Sequence, residues 1–137
     1  MSQMSDFLEV ELRKHIFRTG SMTKPAALWI SLHTANPTDA GSGAEVSGNA
    51  YARVQRDPGD ANWSAPDSTG GLTANLADIT FPSPTPNAWG TITHVGVWDA
   101  STSGNLICYA TLTTPKTVNG GDAAPKFLTG SLSFTFA

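Results

Sequence analysis

The chain has 137 residues, a formal net charge of −3 and 14% charged residues, which is the size of one domain able to bury about two-thirds of its unfolded surface without staples. The mild, dispersed charge excludes the clustered Lys and Arg needed to displace counterions from nucleic-acid phosphates. The lone Cys108 excludes an internal disulfide and any cysteine-pair metal site, and no apolar run approaches the roughly 20 residues of a membrane helix.

Residues 1–6 lack the basic start and apolar middle of a secretory signal, so the chain is expected to be made and held in the cytoplasm. Residues 5–18 then read as an amphipathic helix. Leu8, Leu12 and Ile16 fall four apart, and Phe7, Val10 and Phe17 widen the stripe. Ser5 suits the N-cap and Gly20 the C-terminal end. Acids stand early and bases late, as the helix dipole favours. Six apolar groups are too many for a solvated helix, so the stripe is expected to pack on the chain's own domain or on a neighbour.

Beyond the helix the period becomes alternating. Strands are expected at 28–33, 51–56, 76–81, 91–98, 106–112 and 128–136, separated by Gly- and Pro-rich turns. The fourth and fifth of these strands flank residues 99–105 as a hairpin. Short strands with no helices between them predict one domain over 1–137, mainly β. The expected architecture is an antiparallel sandwich over 27–137, jelly-roll or Ig-like, behind the single helix. The loops at 35–49 and 58–71 are long, as binding or late-ordering segments often are.

No catalytic constellation emerges. His33, His94, Asp99 and Ser101 supply the residue types of a hydrolytic triad, but no strained Gly-x-Ser-x-Gly elbow presents a nucleophile. Asp57 and Asp60 flank a Pro-Gly turn without the alternating acids of a calcium loop. The expectation is a protein that is no enzyme and uses no metal or cofactor. The charge deficit is filled by Thr, Ser, Asn and Gly, a surface that packs against protein partners without stranding charges. Trp63 and Trp89 stand at loop edges, placed either to cap the core or to anchor a partner. Arg53 shares a strand face with Tyr51, and its pairing with Glu45 or Asp99 would pin the 35–49 loop to the sheet.

Several strings taken in order carry a resemblance. They are Ala27-Leu28-Trp29-Ile30-Ser31-Leu32-His33-Thr34-Ala35-Asn36-Pro37, Glu45-Val46-Ser47-Gly48-Asn49-Ala50-Tyr51-Ala52-Arg53, and Trp89-Gly90-Thr91-Ile92-Thr93-His94-Val95-Gly96. Trp98-Asp99-Ala100, Gly104-Asn105-Leu106 and residues 112–118 continue the set. Together they resemble a family of small tailed-bacteriophage virion proteins, often labelled tail-fibre proteins and similar to head-decoration, or cement, proteins. The resemblance implies a particle component. The favoured expectation is a decoration protein on the major capsid protein, self-associated, with a trimer as the form that suits three-fold points of a shell. A tail-fibre or baseplate component bound to tail proteins is the alternative, and a carbohydrate- or receptor-binding module a third. Neither nucleic acid nor membrane is expected as a partner. Residues 57–70 and 123–125 are longer than the family pattern, which makes partner contacts there particular to this chain.

Overall fold

A computed structural model describes residues 2–67 and 71–136; residues 68–70 of the expected 58–71 loop lie outside the described residues. A short strand β1 (Ser2–Met4) leads into helix α1 (Asp6–Phe17). The strands that follow are β2 (Trp29–His33), β3 (Val54–Gln55), β4 (Thr73–Ala74), β5 (Ile79–Thr80), β6 (Gly90–Trp98), β7 (Leu106–Val118), β8 (Lys126–Phe127) and β9 (Ser133–Phe134). Five of them form one antiparallel sheet in the order β1-β7-β6-β2-β3, while β4 with β9 and β5 with β8 make two-stranded ribbons. The chain is therefore mainly β and antiparallel, with one N-terminal helix, as its alternating pattern predicts.

Alternation sorts the sheet into two buried faces. On one, Ile30 stands opposite Val97 and Leu32 opposite Val95, and Val97 in turn faces Cys108. Ile79, Phe81, Leu132 and Phe134 from the ribbons and their flanks join these residues in a single apolar cluster. On the other face Trp29 pairs with Trp98, Ser31 with Gly96 and His33 with His94. A bulge where Val97 faces Cys108 and Trp98 faces Leu106 leaves Ile107 as the extra residue. It sends Leu106 to the second face, beside Trp98 and Tyr109, while Ile107 and Cys108 both stay in the first cluster.

Where strands differ from expectation, the backbone gives the reason. The 51–56 strand shrinks to β3 because Gly48, Asn49 and Ala50 all take positive φ and bring the chain in off the sheet. The 128–136 strand is cut by a turn at Gly130 (φ 76°), whose N–H donates to Asn75 O. That leaves Leu132 and Phe134 buried but Leu128 and Phe136 exposed. The 76–81 strand keeps only β5, and Leu76 is exposed. In contrast β7 runs past 112 to Val118. There Pro115 lies in a stretch where one residue of β6 stands opposite several of β7, a place where its missing N–H breaks no ladder bond.

The helix is fastened at its first turn. Ser5 Oγ accepts the Leu8 N–H at 3.2 Å and donates to the Leu106 carbonyl, and the Ser5 N–H donates to Ile107 O at 3.0 Å. Leu8 is buried in the core, and Leu12 packs against it partly covered. Phe7 is half-buried. The expected stripe ends there. Ile16 and Phe17 are 65% and 79% exposed and Val10 is exposed too, so the chain's own β-domain covers the first half of the stripe and not the second.

Candidate functional site

The second face of the sheet is where the resemblance strings converge. Ser31 and His33 point there from β2, Trp98 from the end of β6, and Gly96 leaves the space they fill. The Trp98 indole N–H donates to Ser31 Oγ at 2.8 Å, and Ser31 Oγ lies 2.8 Å from His33 Nε2. On its other side His33 Nδ1 is 2.9 Å from Gly43 O. A carbonyl accepts only, so Nδ1 carries the proton, Nε2 accepts from Ser31, and the chain of donors runs Trp98 to Ser31 to His33 to Gly43. Ser31 and His33 are fully buried. Burial holds His33 below its ordinary value of 6.5, which keeps this neutral tautomer. A Cβ on Gly96 would stand 2.7 Å from Ser31 Oγ and 3.1 Å from both His33 Nε2 and Trp98 Nε1. Glycine is thus required by space in the buried half of β6.

Arg53 closes the network from above. Its Nε and Nη2 donate to Glu45 Oε1 and Oε2 at 2.8 and 2.7 Å, and Nη1 donates to the carbonyls of Ala100 and Ser103 at 2.8 and 2.9 Å. The guanidinium lies 3.9 Å from the centre of the Trp98 ring, a cation–π contact in a site where the Arg53 side chain is only 6% exposed. Tyr51 Oη donates to Glu45 at 3.0 Å and accepts the Leu32 N–H at 2.9 Å. Desolvation and the Glu45 carboxylate push that phenol far above its usual range. The 34–53 loop is further hemmed to β2 by Thr34 N–H to Ala44 O and Val46 N–H to Leu32 O. The loop read as a candidate binding segment is thus a cover over a polar layer.

Asp99 does not join Arg53. Its carboxylate accepts the backbone and side-chain N–H groups of Asn105 at 2.7 and 2.8 Å, and so fixes the 99–105 hairpin loop instead. Gly104 at φ 77° lies so close beneath it that a Cβ would meet Asp99 Oδ1 at 2.5 Å. Trp89 is buried, donates to Asn49 O at 2.9 Å and meets Tyr51 edge-on at 5.3 Å. Trp63 is half-buried against Phe134, its N–H on Arg56 O at 3.3 Å. Phe7, Leu8, Leu12 and Ile16 lie on α1, away from this network.

The arrangement is chemically closed. The Ser31–His33 pair is sealed from solvent, and the far nitrogen of His33 is held by a carbonyl rather than a carboxylate. His94 is bonded to Thr93 and Thr111 at 2.8 and 3.1 Å, so it does not meet Asp99. Burial pushes the Cys108 thiol up to about 12, far from a reactive thiolate. Sequence reasoning passed over Ser31, Gly96 and the fully buried Asn75. Asn75 donates to Ala77 O and Leu128 O and accepts from Leu132 N–H, tying the ribbons together. A small residue between Val95 and Val97, with a Ser facing it in the alternation, was the available signal for the first two.

The molecule is an antiparallel β scaffold whose polar residues lock its own loops. Residues 3–135 match the family model described as Podophage GP4 fiber I protein gp80, and the chain belongs to that family of small tailed-phage structural proteins. No match was found among curated proteins.

Proposed function

We propose that the protein is a non-catalytic fibre component of a tailed-phage particle, acting through protein contacts. The observation that carries this reading is the family match over 3–135, whose description names a fibre. It favours a fibre over the head-decoration role that low charge and small size alone suggest. The closed network supports a scaffold role, because its Ser, His and Arg groups are bound to one another and to loop carbonyls. On this reading the protein stands in the virion after synthesis in the bacterial host. Purified particles separated into heads and tails test the proposal by mass spectrometry. The protein is expected in the tail fraction. Recovery with the heads would restore the decoration reading, and absence from both would refute each.

A further inference from the structure

We infer that the cavity between the 45–53 loop and the 99–105 hairpin loop binds a neutral saccharide. The cavity measures about 430 Å³, within the range of pockets that hold a small ligand. Its lining includes Trp29, half-buried next to Trp98 at the start of β2. Trp63, Trp89 and Trp98 each donate the indole N–H to an oxygen of the chain. Trp29 makes no such bond among the described residues. Ser47, Ser101, Thr102 and Ser103 also line the cavity, and their hydroxyls have no hydrogen-bond partner among the described residues. Glu45 adds an acceptor. Its Oε1 takes bonds from both Tyr51 and Arg53, whereas Oε2 takes one from Arg53 and keeps a lone pair. The Glu45 side chain is 26% exposed, so a ligand can reach it.

The lining selects the class of ligand. Its charged residues are Glu45 and Arg53, which neutralise each other, so Arg53 opposes a cation and Glu45 an anion. What is left to bind with is an indole ring, its N–H, four hydroxyls and one carboxylate lone pair. A pyranose matches that set, because its C–H face packs on an aromatic ring while its hydroxyls both donate and accept. A sugar hydroxyl donating to Glu45 makes a charge-assisted bond. The walls are also set in advance. Arg53 holds Glu45 on one side and the Ala100 and Ser103 carbonyls on the other, and Asp99 fixes the hairpin loop through Asn105. A site already ordered has little loop entropy left to lose on binding. This site is separate from the protein contacts of a fibre component and does not depend on that reading.

The test follows the indole N–H resonances of the full chain by NMR, with Trp29 assigned as the signal missing from Trp29→Phe. Glucose, galactose, mannose and N-acetylglucosamine are titrated separately to millimolar concentrations, with a capped triglycine peptide in parallel. At least one sugar is expected to move the Trp29 signal saturably and leave those of Trp63 and Trp89 in place. Thr102→Arg and Ala52→Arg each fill the cavity mouth from an exposed position. Both should keep the wild-type melting temperature and weaken sugar binding at least about tenfold; should one fail to fold, the other decides. No response to any of the four sugars, undiminished binding by a folded blocked variant, or an equal response to the peptide would each overturn the inference.

Discussion

Removing the Arg53 guanidinium strands the Glu45 carboxylate and withdraws two donors from the 100–103 loop carbonyls. Breaking one partner of a buried pair typically costs about 3–5 kcal/mol, and Glu45 is 26% exposed, so Arg53→Ala should cost about 3 kcal/mol. A lower denaturant midpoint at unchanged slope would show it; a variant as stable as wild type would mean that the pair merely decorates the loop. Gly96→Ala forces a methyl among Ser31, His33 and Trp98, and overpacking of this kind costs about 1–3 kcal/mol. His33 sets the pH response. Its folded value lies below 6.5, so the unfolded chain binds the proton more readily. Stability is therefore full above about 6.5 and falls as pH drops through that value toward the folded one. One such group contributes at most about 1.4 kcal/mol per pH unit. His94, also lowered by burial, acts in the same window, whereas Asp78, lowered chiefly by its bond from Lys126, acts below its usual 3.8. Urea titrations at pH 7.5 and pH 5.5 should thus show a slope that His33→Gln reduces; an unchanged slope would remove His33 from the account.

At the scale of elements, α1 divides into an anchored and a free half. Leu8→Ala should cost about 2–5 kcal/mol as a core truncation. Leu12→Asp should lower the melting temperature too, since Leu12 touches the core, while Phe17→Asp should stay within about 0.5 kcal/mol. Equal losses at Leu8 and Phe17 would contradict the division. The helix was legible within one residue at each end because periodicity, cap and dipole agree there. So were β2 and β6, whose alternating runs are long. The ribbons were not, since two-residue ladders such as β5 with β8 are set by distant partners and leave little local pattern. The strand β1 escaped for the same reason: Ser2-Gln3-Met4 has no strand character, and its place is fixed by pairing with 108–110 of β7. Of the site, the Glu45–Arg53 pair could be suggested because Arg53 stands on the 51–56 strand and Glu45 lies in the loop that feeds it. That Asp99 turns to Asn105 depends on the positive φ of Ser103 and Gly104, which close the hairpin onto its carboxylate.

For the whole molecule, both faces of one five-stranded sheet are occupied from within, one by the ribbons and the other by the 34–53 loop. The fold leaves outward a Thr-rich β7 end and the tip of α1, both suited to contact with other proteins. The account therefore rests on the protein standing in the particle among neighbours, as a fibre component. An image reconstruction of the intact phage tests this most directly. The account predicts density for a five-stranded sheet with one short helix in the fibre. Density for the same fold on the head shell would contradict it.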